Sequence, residues 1–314
     1  MFYIGFDIGG TKCAALLGEE TDGRMHVLER RAFATAQHPV PEEALEQLAD
    51  MAAQMRQGKD IAGIGISCGG PLNSEEGLIL SPPNLPGWDH VEAAAFFRSR
   101  FGVPARLMND ANACALAEWK YGAGRGLQNM VFLTFGTGLG AGLILNGHLY
   151  AGRQDMAGEL GHWRLENFGP VGYGKAGSFE GFCSGGGIAQ LAKARLAEYR
   201  QMGRTHPLLS APEITTKDVF ALAEQGDPLC TKVCRTSSRQ FGRGLALVID
   251  LLNPEAVVAG SVFTRNYTFM LPWVEEAVHA EALSVSAAAC RILPSELGES
   301  IGDLAALTAA GTDI

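Results

Sequence analysis

The sequence predicts an α/β chain built from two related domains, on three observations. Two segments far apart in the chain share one plan, an apolar strand, a short turn of glycine and threonine, and a second apolar strand. In the first, Tyr3 to Asp7 leads into Gly9, Gly10 and Thr11; in the second, Met130 to Phe135 leads into Gly136, Thr137 and Gly138. Strand-like and helix-like stretches alternate through the rest of the chain, as α/β domains require. At 314 residues it also exceeds the size at which one core usually keeps growing.

In chain order, residues 2–8, 13–18 and 25–35 read as strands, and a helix is expected from Pro41 to Gln57, where apolar residues fall at helical spacing. Ile61 to Ser67 reads as a buried strand, His90 to Phe101 as a helix, Ala105 to Met108 as a strand and Ala111 to Tyr121 as a helix. Gly122 to Gln128 is rich in glycine and reads as a hinge. Hairpins are expected over 130–165, with Asn146-Gly147 as one turn. Helices follow near 185–200, 216–225 and 228–252, then a strand from Glu255 to Ala259. A helix, a strand around Arg291 and a last helix from about Ile301 complete the order.

Composition narrows the function. Hydrophobic residues make up 47% and charged residues 19% of the chain, with 40 glycines, which suits a large packed core with many tight turns. The net charge of -9 and the absence of any Lys/Arg run argue against a nucleic-acid surface. Seven cysteines, an odd number, lie scattered in apolar segments, the pattern of a reducing compartment rather than a disulfide framework, so a cytoplasmic location is expected. Met1-Phe2-Tyr3 lacks the basic start of a secretory signal. The uncharged stretch from Met130 to Leu145 is shorter than the ~20 residues of a spanning helix and carries four glycines, so it reads as a buried hairpin.

Asp7 leaves an apolar strand just before Gly9-Gly10-Thr11-Lys12. A carboxylate there needs a positive partner, and glycines let backbone N–H groups approach an anion, so the turn fits a metal-phosphate group. Taken alone it also fits an ordinary hairpin turn. It is not a Walker loop, which needs G-x-x-x-x-G-K-[ST] opening a helix. The run Phe135 to Gly142 is not a dinucleotide fingerprint either, because its spacing differs and an apolar strand follows it.

Two further sites carry polar groups. Asn109-Asp110 interrupts an apolar strand as it meets a helix; either residue can cap that helix, and Asp110 can also serve as a general base towards a hydroxyl. Glu159 and His162 stand three apart in a glycine-punctuated stretch, where they form either a structural pair or a pair of sugar-hydroxyl ligands.

The duplicated hairpins resemble those of the actin-like and hexokinase-like ATPases, and the whole chain resembles the ROK family of sugar kinases and repressors. The motifs that carry the resemblance are DIGGTK at Asp7, PNLPGW at Pro83, NDANA at Asn109, GTGLGAG at Gly136, GELGH at Gly158 and LNPEAVVAG at Leu252. The resemblance implies two duplicated ribonuclease-H-like (actin-like ATPase) domains, residues 1–122 and 123–314, with a cleft between them and the last helix packed back on the first. It implies ATP-dependent phosphorylation of a hexose or N-acetylhexosamine at the 6-hydroxyl, with Asp110 as the base. Asn109, Glu159, His162 and Glu180 would bind the sugar ring. Gly9, Gly10, Thr11, Lys12, Thr134, Gly136, Thr137 and Gly138 would line the phosphates, Gly260 would face the adenosine, and Asp7 would hold Mg²⁺ through water. A homodimer is expected, with no membrane or nucleic-acid partner. Gly260-Ser261 stands where the family usually has two glycines.

The chain departs from the family after His162. Most members hold zinc with that histidine and three cysteines in C-G-C-G-x-x-G-C-x-E, but Val171, Tyr173 and Ser178 occupy the cysteine positions here. Valine supplies no ligand, so no zinc is expected, and apolar packing of Val171, Tyr173 and Phe179 is expected to order the loop instead. A repressor of the family would carry a helix-turn-helix segment before the first hairpin, which begins here at residue 4. The remaining alternative is a sugar-binding regulatory protein without kinase activity.

Overall fold

The computed structural model describes residues 1–311. The chain opens with β1 (Phe2–Ile8), β2 (Lys12–Thr21) and β3 (Arg24–Ala34), followed by α1 (Pro41–Arg56) and β4 (Ile61–Cys68). Two short strands, β5 (Leu72–Asn73) and β6 (Leu78–Ile79), precede α2 (Ala93–Phe101), β7 (Ala105–Asn109) and α3 (Asp110–Tyr121). Then come β8 (Met130–Phe135), β9 (Leu139–Leu145), β10 (His148–Leu149), β11 (Val171–Gly172) and β12 (Lys175–Ala176). The rest is mostly helical: α4 (Phe179–Phe182), α5 (Gly185–Gln201), α6 (Thr216–Glu224), α7 (Pro228–Leu252), β13 (Ala256–Ala259), α8 (Val262–Arg265), α9 (Tyr267–Glu281), α10 (Ser284–Ala289), β14 (Arg291–Pro294) and α11 (Ile301–Ala310).

These elements form two compact units. The first comprises Met1–Phe132, Gly142–Gly158 and the chain from Glu296 onward; the second comprises Leu133–Ala141 and Glu159–Ser295. The first unit holds a five-stranded sheet in the order β3-β2-β1-β4-β7, with β1 antiparallel to β2 and parallel to β4, and β4 parallel to β7. Side chains alternate across β1. Phe6 points to the face carrying α2, where its ring stacks on Phe97 at 3.9 Å, and Gly5 and Asp7 point to the other. On that second face α11 lies against β1, β4 and α3. The approach is close, since a Cβ on Gly65 would stand 2.0 Å from the Ala306 carbonyl oxygen. Ala306, Ala309 and Ala310 of α11 meeting glycines in the strands therefore bring two backbones close together.

A buried carboxylate fastens the end of this unit. Glu118 on α3, with no exposed surface, accepts from the backbone N–H groups of Ala123 at 2.8 Å and Leu297 at 3.0 Å, and more weakly from that of Glu296. Removing two or three backbone donors from water is tolerable because a charged acceptor meets them.

The second five-stranded sheet has the order β10-β9-β8-β13-β14, with β13 and β14 parallel. Within the second unit, α7 buries a stripe that includes Val233, Ser237, Phe241, Leu245 and Val248. Its start is fixed by Asp227, which accepts from the Cys230 N–H, and by Pro228 in the first turn. Phe241 is the hub of an aromatic cluster, 5.0 Å from Phe135, 5.2 Å from Phe263 and 5.9 Å from Phe179 between ring centres. Four elements, β8, α4, α7 and α8, are thereby locked together.

Two boundaries differ from expectation. α2 begins at Ala93 rather than His90, because Val91 makes an isolated bridge to Ile79 and His90 takes a positive φ of 53°. After β10, residues 150–165 form turns and a short 3-10 helix at Leu160–His162, not a further hairpin.

Candidate active site

In the first unit, the turn between β1 and β2 is held by its own backbone and by Thr35. Gly9 N–H donates to the Lys12 carbonyl at 3.1 Å, and the Thr35 hydroxyl donates to the Gly9 carbonyl at 2.6 Å. A Cβ on Gly10 would lie 2.3 Å from the Asn84 carbonyl oxygen, so the PNLPGW segment packs directly on this turn. Thr11 and Lys12 are exposed. Two strands along the sheet from β1, Asn109 ends β7 and caps α3, its Oδ1 accepting from Ala111 N–H at 3.0 Å and, more weakly, from Asn112 N–H. Asp110 Oδ1 also accepts from Ala111 N–H, at 2.8 Å. Both carboxamide and carboxylate thus serve the helix start, and Asp110 remains exposed to solvent.

Asp7 and Asp110 influence one another electrostatically. Burial, then the Asp110 charge, pushes the Asp7 carboxyl from its ordinary 3.8 up to about 6, with Arg30 opposing. The Asp110 carboxyl is also pushed up, by the protein mass crowded around it, while the Ala111 N–H pulls the other way. Two carboxylates raised by burial, Asp7 also by the Asp110 charge, are the oxygen-rich, under-neutralised set that a hard divalent cation such as Mg²⁺ fits.

In the second unit, the β8–β9 turn closes with Gly136 N–H donating to the Gly138 carbonyl at 3.1 Å. The Thr134 hydroxyl accepts from Gly140 N–H at 2.8 Å and so braces the turn from within the hairpin. Gly185 N–H donates to the Gly136 carbonyl at 2.8 Å, docking the start of α5 on the same turn. Glu180 sits on α4, whose first turn Ser178 caps, and its Oε2 accepts from Leu139 N–H at 3.0 Å. Gly138 and Gly172 both lie where a Cβ would stand 2.8 Å from this side chain, so both must stay small.

Glu159, exposed, precedes the 3-10 turn that carries His162. The loop after it is held differently from the sequence expectation. Phe179 is buried, but Val171 is 48% and Tyr173 62% exposed, so apolar packing of those two does not order the loop. Backbone hydrogen bonding does: Gln190 both donates to the Val171 carbonyl and accepts from its N–H, each at 2.9 Å. Ser178, fully buried, accepts from Gly181 N–H at 3.0 Å, and Arg164 donates to the Ala176 carbonyl at 2.6 Å.

Among the described residues, one group of three metal-capable side chains clusters, His206, Asp227 and Cys230. Its hydrogen bonds are those of a helix cap. Leu208 N–H donates to His206 Nδ1 at 3.2 Å, which leaves Nε2 to carry the proton towards Asp227 Oδ2 at 3.1 Å. Burial and the Asp227 charge push the Cys230 thiol up to about 12. A metal would have to displace both protons. Cys183, buried, donates its thiol to the Ser237 carbonyl.

A pocket of about 420 Å³ in the second unit is lined by Gly136, Thr137, Gly185, Thr216, Ser261 and Arg265 among others. Gly260 N–H donates to the Leu133 carbonyl at 3.0 Å, which seats this end of β13 beside the turn. Ser261 takes φ 53° and ψ -110°, a conformation natural to glycine, and its Oγ accepts from Arg265 at 3.1 Å. Sequence reasoning missed Gly185 and Thr216. The run Ser184-Gly185-Gly186-Gly187, a capping serine and three glycines opening a helix, was the signal available.

A mixed sheet ordered β3-β2-β1-β4-β7, a second five-stranded sheet and a glycine turn after the first strand of each define an actin-like ATPase fold. The model of the ROK family matches residues 3–311, and the chain belongs to that family. It is 30% identical over 305 residues to the glucokinase of Thermotoga maritima, covering 96% of this chain and 95% of that one. It is 32% identical over 264 residues to the N-acetylmannosamine kinase of Citrobacter koseri, covering 83% of each. The ROK family glucokinase of Streptomyces griseus, solved in complex with glucose and AMPPNP, superposes with a TM-score of 0.79 at 30% identity over 99% of both chains.

Proposed function

We infer that this chain is an ATP-dependent sugar kinase that phosphorylates a hexose or N-acetylhexosamine at its 6-hydroxyl. The observation that carries the reading is the pair Asp7 and Asp110, two acids of raised pKa beside a glycine turn, in a chain of this family. Asp110 accepts the proton of the attacking hydroxyl; its raised affinity for a proton makes it a better base than an ordinary carboxylate. Asn109, fixed as the cap of α3, with Glu159, His162 and Glu180, holds the sugar ring, and Glu180 is oriented by the Leu139 N–H. Gly9, Gly10, Thr11, Lys12, Gly136, Thr137 and Gly138 bind the phosphates, with Thr134 bracing the turn after β8. Gly260 borders the adenosine.

Asp7 would hold Mg²⁺ through water, and the ion would supply charge neutralisation at the transferring phosphoryl group. No zinc is needed in this reading, because Gln190, Ser178 and Arg164 order the loop that leads to Glu180. The glucokinase and N-acetylmannosamine kinase relatives make both sugar classes candidates. Replacing Asp110→Asn lowers kcat by about two to four powers of ten with sugar binding nearly unchanged. Steady-state kinetics with calorimetric sugar titration checks this, and near-normal kcat refutes the assignment.

A further inference from the structure

The hairpin β11–β12 contains a residue at odds with its place. Gly172 pairs with Lys175, leaving Tyr173 and Gly174 as a two-residue turn with φ 46° and 74°. Such a turn needs positive φ at both positions and favours Asn-Gly, whereas an aromatic residue there is strained. Burial does not compensate, since Tyr173 is 62% exposed. What the ring does contact is the imidazole of His162, edge to face, with centroids 4.9 Å apart at 75°. The same turn leads into Lys175, whose Nζ donates to the His162 carbonyl at 2.6 Å. One short hairpin thus holds His162 by both ring and backbone, and the hairpin is itself anchored by the two Gln190 hydrogen bonds at Val171.

We propose that Tyr173 and Lys175 are positioning residues that place His162 for the sugar, Tyr173 through the imidazole and Lys175 through the backbone carbonyl, a role that rests on His162 being a sugar ligand as argued above. Tyr173 acts through its ring, so its hydroxyl is dispensable, and it acts on His162 rather than on the sugar. The strained tyrosine is retained in place of a favoured asparagine because only an aromatic ring supplies that contact.

The test uses the full chain and turns on opposite signs. Tyr173→Asn suits the turn, so its thermal midpoint equals or exceeds that of the wild type, while KM for the sugar rises about three- to tenfold, the span of an aromatic pair. KM for ATP stays unchanged. Tyr173→Phe keeps wild-type KM for both substrates, and Lys175→Met raises KM for the sugar in the same sense as Tyr173→Asn. In a His162→Ala background, adding Tyr173→Asn costs nothing further. An unchanged sugar KM in Tyr173→Asn, equal impairment in Tyr173→Phe, or an additive loss in the double variant overturns the proposal while the wild type remains an active kinase. A wild type inactive on every sugar instead overturns the kinase reading, and this inference with it.

Discussion

Asp7→Asn should make the metal-free protein more stable, by an amount that grows from about pH 4 and is complete above about pH 6. The folded state holds the Asp7 proton up to about pH 6, whereas the unfolded chain releases it near 3.8. Below pH 4 both states are protonated and the carboxyl contributes nothing. Between pH 4 and 6 the folded state binds more protons than the unfolded one, so stability falls as pH rises, and above 6 the full cost is present. At 1.36 kcal/mol per pH unit the cost is about 3 kcal/mol. Removing the carboxyl removes that cost. Equilibrium urea unfolding of wild type and Asp7→Asn at pH 4, 6 and 8, without Mg²⁺, should show midpoints that coincide at pH 4 and separate progressively in favour of the variant. Activity of the variant should be lost even as its stability rises, the signature of a group kept for function. A difference between the two proteins that stays constant from pH 4 to 8 would refute the reasoning, since it would mean that the Asp7 carboxyl titrates alike in both states.

Three other outcomes follow from the structure. Ser261→Gly relieves a glycine-like conformation and should raise stability by about 1 kcal/mol, whereas Ser261→Ala, which keeps the strain, should not; calorimetric melting of both variants decides it. Glu118→Gln puts an amide N–H₂ group among backbone donors and should cost about 2 kcal/mol in urea unfolding, with a loss under 0.5 kcal/mol counting against the clasp. Elemental analysis of protein purified without added metal should find essentially no zinc; about one equivalent per chain would show that His162 or the His206 cluster recruits it.

Much of this architecture was legible in the sequence because local patterns coincide with the fold. β1 and β4 are continuous apolar runs, α7 carries its buried stripe at helical spacing, and the Gly9-Gly10 turn marks itself. Asn109 and Asp110 were visible as polar residues at a strand end, and both of their local readings hold, since each accepts the Ala111 N–H. What was hidden depends on contacts remote in sequence. Val91 leaves the helical pattern of α2 to pair with Ile79, twelve positions earlier. Val171 and Tyr173 look apolar enough to pack, yet the loop is ordered by Gln190, whose reach across to Val171 nothing local announces. Gly138 reads as a turn residue, but a Cβ there would stand 2.8 Å from the Glu180 carboxylate.

The most direct test of the central claim is a coupled assay of ADP release with glucose, fructose, mannose, allose, N-acetylglucosamine and N-acetylmannosamine, each with Mg-ATP. Sugar-dependent turnover is expected on at least one of them, lowered by about two to four powers of ten in Asp110→Asn. Sugar binding without ADP release on any of the six would contradict it and favour a sugar-binding regulatory role.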